Sequence, residues 1–204
     1  MPVSLFPAQQ KAIRMVCTSS LHLDIFQTVL VYLISLLVPL FLGQILNTIF
    51  GATSVVATNS QLIIGSIVNA TLVMTALNLK GTAKIMGVVT MPSVATILGG
   101  YVFHTASPLM VYMIPAIWVG NYALVYMLKK LLVVKNKNYF LTATCGIVLK
   151  VAIIFGAFSI LNYIGIFPEK LVANLQKAMG MTQLITATIG TVIAYAFYCL
   201  EKKK

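Results

Sequence analysis

The chain has 204 residues, of which 60% are apolar and only 8% are charged, and its mean hydropathy is +0.99. Soluble domains carry roughly a quarter charged residues, so this composition excludes a soluble globular domain. The formal net charge of +11 does not indicate a nucleic-acid partner, because the basic residues stand in short clusters between apolar runs, as they do in cytoplasmic loops of membrane proteins. We therefore expect an all-α polytopic protein whose surroundings are the lipid bilayer.

A membrane-spanning helix needs about 20 mostly apolar residues. The sequence predicts six such helices within a single integral membrane domain over residues 1–204. The predicted spans cover approximately 27–50, 60–79, 82–103, 109–128, 139–163 and 181–200. Residues 1–26 are too highly charged for a span and lack a signal-peptide cleavage pattern, so we interpret them as a cytoplasmic or interfacial segment.

The connections between the predicted spans differ in polarity. Residues 51–59 are small and polar, which indicates a flexible loop, and residues 104–108 predict a short turn. Residues 129–138 contain four lysines and predict a basic loop. Residues 164–179 form the most polar connection, where Pro168 and Glu169 predict the start of a short helix, since proline suits the first turn and acids suit the positive end of the helix dipole.

The distribution of basic residues predicts the orientation in the membrane. Eleven Lys and Arg residues lie in the N-terminal segment, in the connections at 80–84 and 129–138, and in the C-terminal tail. Only Lys170 and Lys177 lie on the opposite side. Cytoplasmic loops carry an excess of Lys and Arg, so we expect both termini in the cytoplasm.

Lys150 is the one charged residue predicted deep within a span. It lies about eleven residues, or roughly 16 Å, into the fifth span, which places it near the midplane. The three acids, Asp24, Glu169 and Glu201, fall outside the predicted spans, so no carboxylate partner is evident. Three interpretations are open: Lys150 snorkels towards the cytoplasmic headgroups, meets a carboxylate of a partner subunit, or binds an anionic group of a ligand.

Four further residues complete the predicted substrate-binding set. Asn69 and Asn121 lie at a depth similar to that of Lys150, and each amide either bonds a neighbouring helix or belongs to a polar pocket shared with the lysine. Trp118 either stacks on a ring-shaped solute or packs in the core. His104 either contributes from its turn or is a solvated loop residue.

The sequence lacks the motifs of several functional classes. It contains no Walker loop, no HExxH, no GxSxG and no paired carboxylates, and its three cysteines and two histidines have no metal-binding spacing. We therefore predict no enzyme activity, no catalytic residue, no cofactor and no metal site. No acid within the predicted spans relays protons, so a transporter built on this chain would take its energy from another subunit.

The whole chain resembles the substrate-binding S components of energy-coupling factor (ECF) transporters, which import vitamins and micronutrients into bacteria. The resemblance rests on six short spans, a lysine-rich tail and three sequence blocks: GSIVNA at 65–70, MIPAIWVGNYALVYMLKK at 113–130, and FPEKLVANL followed by GMTQLITATIGTVIAY within 167–195. It implies an S-component-like bundle in the plasma membrane of a bacterium. Its partners would be a small solute, for which Lys150 indicates an anionic group, a transmembrane coupling subunit and two ATPase subunits.

The first span departs from the pattern of that family. Many S components carry alanines four residues apart in the first helix, where they dock on the coupling subunit, whereas this span reads TVLVYLISLLVPLFLG and lacks AxxxA. The alternative hypothesis is a non-transporting membrane protein that serves as a partner or assembly subunit of a larger complex, in which Lys150 meets a partner acid. A self-contained channel or carrier is a third hypothesis.

Overall fold

The structure is a computed structural model that describes the backbone of residues 7–51, 53–100 and 102–201, and the side chains of the same ranges except residues 7–23, 104, 105 and 201. Throughout these ranges the chain is helical, with no strand. Its elements in chain order are α1 (Pro7–Phe50), α2 (Val55–Thr58), α3 (Ser60–Asn78), α4 (Thr82–Gly99), a 3₁₀ helix (His104–Met113), α5 (Ile114–Met127), a π helix (Leu128–Val134), α6 (Tyr139–Tyr163), α7 (Glu169–Met179) and α8 (Met181–Glu201).

Six helical segments of the described chain are long and apolar enough to cross a membrane. They are Asp24–Phe50, Ser60–Asn78, Thr82–Gly99, Ala106–Val134, Tyr139–Tyr163 and Glu169–Leu200. Large apolar side chains are exposed along these segments, which suits a surface in contact with lipid rather than water. The predicted all-α class is therefore confirmed, and the described chain contains the six predicted helices that are long and apolar enough to span a membrane.

The two ends of the bundle differ in charge, and we name them accordingly. The lysine-rich end carries lysines in the α3–α4 turn, in the first turn of α4 and between α5 and α6, namely Lys80, Lys84, Lys129, Lys130, Lys135 and Lys137. The described part of the lysine-poor end is formed by residues 51, 53–59, 100, 102–113 and 164–180. An ion pair of 2.6 Å between Asp24 and Lys84 joins α1 to α4 at the lysine-rich end.

The first helix extends beyond its predicted boundary. It is continuous from Pro7 to Phe50, so no helix end lies near residue 26. The part of α1 whose side chains are described, Asp24–Phe50, is long and apolar enough to cross a membrane, and the carboxylate of Asp24 pairs with Lys84. Because residues 1–6 and the side chains as far as residue 23 lie outside the described residues, the interfacial placement of the first 26 residues stays a prediction.

The predicted turn at residues 104–108 is the beginning of a ten-residue 3₁₀ helix that continues to Met113. Pro108 lies inside this helix and Pro115 lies in the first turn of α5. Pro115 suits the first turn of α5, where the backbone N–H would have no partner within the helix.

The predicted basic loop at residues 129–138 is helical as far as Val134. Leu128 and Leu132 are buried, which continues the apolar face of α5 into the π helix. The ammonium group of Lys129 donates a hydrogen bond to the carbonyl of Leu79, at the end of α3. A lysine that satisfies a helix-terminal carbonyl in this way belongs to the packed bundle rather than to a solvated loop.

Two connections at the lysine-poor end contain short helices. As predicted, a helix begins at Glu169 directly after Pro168. The predicted flexible loop at 51–59 contains α2, whose first turn is capped by Ser54, since its hydroxyl accepts a hydrogen bond of 3.1 Å from the Ala57 N–H.

Helices α3 and α8 approach each other closely through small residues. A Cβ atom built on Gly190 of α8 would lie 2.6 Å from the Cβ of Asn69 and 2.7 Å from the carbonyl oxygen of Ser66. A Cβ atom built on Gly65 of α3 would lie 2.9 Å from the Cγ2 of Thr186. Small residues let membrane helices pack backbone to backbone, so this pair is fixed by glycines on both sides.

The core of the bundle divides into two apolar clusters. The cluster in the lysine-rich half includes Leu72, Val89 and Leu124, and the cluster in the lysine-poor half includes Met110, Ile154 and Phe158. Along α6 the residue between the two clusters is Lys150, and along α5 it is Asn121. The packing of the bundle thus leaves a polar layer between two apolar ones.

The close approach of α3 and α8 generates a prediction for paired glycine substitutions. Gly190→Ala should lower the free energy of unfolding by about 1–3 kcal/mol, because the added methyl group meets backbone atoms of α3 that cannot move aside. Gly156→Ala on α6 is the matched control, since its Cβ would meet no atom within 4 Å. Thermal unfolding in detergent should show a lowered midpoint for Gly190→Ala alone, and equal midpoints for the two variants would contradict the assigned contact.

Candidate functional site

Lys150 is enclosed in the centre of the bundle. Only 2% of its surface is exposed, and its ammonium group donates a hydrogen bond of 2.5 Å to the Oδ1 of Asn69 on α3. Helix α5 crosses α6 at this level, because a Cβ built on Gly120 would lie 3.2 Å from the carbonyl oxygen of Lys150. The side chain therefore points across the bundle and does not snorkel towards either end.

Asn69 connects the ammonium group to the α3–α8 contact. Its Nδ2 donates to the carbonyl oxygen of Gly65 at 2.8 Å and to the hydroxyl of Thr186 at 3.3 Å, which leaves Oδ1 directed at the lysine. Asn69 is 2% exposed. Because the amide donors are held by α3 and α8, the amide oxygen presents a fixed acceptor to the cation.

Asn121 lies on the opposite wall of the same polar layer. It is 3% exposed, and its Nδ2 donates to the carbonyl oxygen of Val89 on α4 at 3.4 Å. The predicted convergence of Asn69, Asn121 and Lys150 is seen in the structure, since all three line one cavity. Each asparagine also bonds a neighbouring helix, Asn69 through Thr186 of α8 and Asn121 through Val89 of α4. The two predicted roles, a bond between helices and a place in a polar pocket, are therefore compatible.

Trp118 takes part in the site indirectly. Its indole N–H donates a hydrogen bond of 2.7 Å to the hydroxyl of Ser93 on α4. Ser93 lines the cavity, whereas Trp118 packs against the apolar cluster of the lysine-rich half. Of its two predicted roles, the structure favours packing in the core, and the tryptophan orients a serine rather than facing a solute.

The inner cavity has a volume of about 80 Å³. Its polar lining consists of Gln61, Asn69, Ser93, Thr96, Asn121, Lys150 and Gln183. Ligand pockets of soluble and membrane proteins usually measure roughly 300–1,000 Å³, so the inner cavity has room for one polar group of a solute rather than for a whole vitamin-sized molecule.

A larger cavity opens on the lysine-poor end, and we call it the vestibule. Its volume is about 610 Å³, and it lies between α2, α3, α7 and α8. Three residues, Gln61, Val102 and Phe103, line both the vestibule and the inner cavity. The two spaces are therefore neighbours that share a wall, and the side chains of that wall separate a solute-sized volume from Lys150.

No carboxylate approaches Lys150 among the described side chains. Asp24 is paired with Lys84 at the lysine-rich end, and Glu169 lies in the first turn of α7 at the opposite end. Within the described part of the chain, Asn69 is the only hydrogen-bond acceptor of an ammonium group that carries three donors. The site thus has a fixed cation with unused hydrogen-bonding capacity facing a cavity.

Sequence reasoning overlooked several polar residues of the cavity. Gln61 and Asn69 are eight residues apart with Gly65 midway, a spacing that places all three on one face of α3, and all three line the cavity. Ser93, which follows Pro92 in the middle of α4, was a further signal. The side chain of His104 lies outside the described residues, and its backbone begins the 3₁₀ helix beside the shared wall.

The one ammonium group of the inner cavity disfavours a metal cation there. Among the described residues no group of three His, Cys, Asp or Glu side chains comes together. The polar groups of the inner cavity are amides, hydroxyls and one ammonium group, which are suited to an anion or a neutral polar group rather than to a cation.

The hydrogen bond between Lys150 and Asn69 generates a prediction for a double-mutant cycle. Asn69→Ala should destabilise the protein by about 1–3 kcal/mol, because the buried ammonium group loses its acceptor. In a Lys150→Met background the same substitution should cost at least about 1 kcal/mol less, since no cation then depends on the amide oxygen. Equilibrium unfolding in detergent with SDS as denaturant measures both costs, and equal costs in the two backgrounds would contradict the coupling.

Comparison of this chain with protein-family models, with curated proteins and with solved structures finds no match. The function is therefore inferred from the chain's own residues and from the geometry of the two cavities.

Proposed function

We propose that this chain is a membrane-embedded solute-binding protein that captures a small solute with a carboxylate or phosphate group. In this proposal Lys150 binds the anionic group, and Asn69 and Asn121 supply hydrogen-bonding groups beside it. Once the side chains of the shared wall, Gln61, Val102 and Phe103, move apart, the anionic group occupies the inner cavity and the remainder of the solute fills the vestibule, which has the volume for it.

The enclosure of Lys150 is the observation that carries the proposal. A carboxylate of a partner subunit would approach from the lipid-facing surface, but Lys150 is 2% exposed and faces the interior. A buried cation without an anionic partner is unfavourable by several kcal/mol. An anionic group that neutralises it from within the cavity therefore gains a comparable free energy of binding. A ligand reaching the cavity through the vestibule suits this geometry better than a partner subunit does.

The two ends of the bundle favour capture over conduction. The inner cavity ends against the apolar cluster of the lysine-rich half, where Leu72, Val89 and Leu124 are fully buried. A cavity closed by packed side chains on one side holds a solute rather than passing it through. With the lysine-rich end in the cytoplasm, as the positive-inside rule places it, the vestibule faces the exterior.

Energy for uptake would come from partner subunits, as in the ECF transporters that the sequence resembles. In this proposal the protein lies in the plasma membrane of a bacterium, and a transmembrane coupling subunit with two ATPases moves the captured solute inwards. The exposed face of α1 carries bulky side chains such as Leu33, Leu37 and Phe41, so docking would use a surface other than a small-residue face of the first helix.

A solute panel tests the proposed function. The detergent-purified protein is unfolded thermally in the presence of vitamins, nucleobases, amino acids and metal ions. A ligand at about 100 times its Kd that binds only the folded state adds roughly 2.7 kcal/mol to the free energy of unfolding, and its midpoint rises accordingly. We expect at least one carboxylate- or phosphate-bearing compound to raise the midpoint.

The Lys150→Met variant tests whether the rise of the unfolding midpoint depends on the inner cavity. The variant should fold and insert, because methionine replaces a buried charge by an apolar side chain of similar length, and it should lose the response to the solute. Lys137→Met is the matched control, since it removes an exposed lysine at the lysine-rich end. An undiminished response in Lys150→Met would contradict the assigned site, and no response to any compound would favour the alternative that the chain is an assembly partner.

A further inference from the structure

We propose that Lys177 makes the vestibule selective for anions before the solute reaches Lys150. The proposal rests on the proposed function, because it concerns the path to the same inner cavity. It assigns to α7 the role of a charged wall, and to Lys177 the role of the specificity-determining residue of that wall.

The position of Lys177 on α7 distinguishes it from the second lysine of the same helix. Leu175, Ala178 and Met179 are buried against the bundle, and Lys177 extends beside them. Its side chain lines the vestibule and also an open groove of about 690 Å³ that α6, α7 and α8 form. Lys170, seven residues earlier, is exposed and does not line the vestibule. The two lysines therefore carry the same charge on one helix, about 10 Å apart along its axis, with only one at the cavity.

The electrostatic character of the vestibule depends on this one side chain. Among the lining residues whose side chains the structure describes, Lys177 is the only charged one, and Asn59, Gln61, Asn174 and Thr182 contribute neutral polar groups. Lys177 also lies in the last turn of α7, where the helix dipole places roughly half a negative charge. Because α8 begins at Met181, the positive end of its dipole lies beside the negative end of α7, so the ammonium group of Lys177 is the dominant charge of the wall.

The path from Lys177 to the inner cavity runs past Gln61. This side chain lines both cavities, and its amide Nε2 lies 3.5 Å from the carbonyl oxygen of Ala178, the residue that follows Lys177. An anion held at Lys177 is therefore next to the wall that separates the vestibule from the inner cavity. Two cations in succession, first Lys177 and then Lys150, favour an anionic solute at each stage.

Thiol modification at Gln61→Cys tests the charge of the path. In a background with Cys17, Cys145 and Cys199 replaced by alanine, the introduced cysteine is reacted with two methanethiosulfonate reagents, one carrying a sulfonate group and one a trimethylammonium group. The ratio of the anionic to the cationic reaction rate is measured at about 0.1 M salt, where the Debye length is about 10 Å. This ratio reports the local potential and needs no knowledge of the natural solute.

We expect Lys177→Gln to lower this ratio by about threefold or more, because loss of a nearby unit charge slows the anionic reagent and speeds the cationic one. Lys170→Gln should leave the ratio within about 1.5-fold, since that charge lies beyond the vestibule and is largely screened. Lys177→Arg should keep the ratio of the parent protein. Equal effects of the two glutamine variants, or no effect of Lys177→Gln, would overturn the proposal.

The reagent-rate ratio and the solute panel test the role of Lys177 and the solute-binding function separately. If the vestibule prefers the anionic reagent but no compound of the panel binds, the role of Lys177 stands and the solute-binding function is contradicted. Conversely, Lys150→Met could lose the response to the solute while Lys177→Gln leaves the rate ratio unchanged. That result would support the inner site and overturn the role of Lys177.

Discussion

The ammonium group of Lys150 has to be accommodated between two apolar clusters, and the surrounding helices are arranged to do this. The acceptor is the amide of Asn69, which is held in turn by Gly65 of its own helix and by Thr186 of α8. That second contact exists because Gly190 lets the backbones of α3 and α8 approach. The small residues that hold the bundle together are thus the same residues that aim the amide oxygen at the cation.

This coupling explains how a charged side chain persists between two apolar clusters. A charge at this depth is expensive in hydrocarbon, and one neutral acceptor repays only part of that cost. The remaining donors of Lys150 face a cavity that adjoins the vestibule. Stability alone would favour an apolar residue at this position, which is why the proposed function assigns Lys150 to the binding of an anionic group.

The sequence predicted the depth of the site residues but not the directions in which they point. Depth follows from counting residues along a helix of fixed rise, which correctly placed Asn69, Asn121 and Lys150 in one layer. Direction depends on which helix faces meet, and so the core position of Trp118 and the role of Ser93 emerged only from the packing. The π helix after α5 escaped prediction for a similar reason, because Lys129 looks solvated until its partner carbonyl on α3 is known.

The two lysines on the proposed path differ in their surroundings, and this difference makes the attraction for an anion stronger at the inner cavity than in the vestibule. Lys177 is exposed in the wall of a cavity of about 610 Å³, where solvent screens its charge and a passing anion is held weakly. Lys150 is buried beside about 80 Å³, where water is scarce and the same anion is held strongly. Attraction therefore increases inwards and ends at a wall of packed apolar residues. Release on the lysine-rich side requires that wall to be rearranged by work from outside the chain, which is the task that a coupling subunit driven by ATPases would perform.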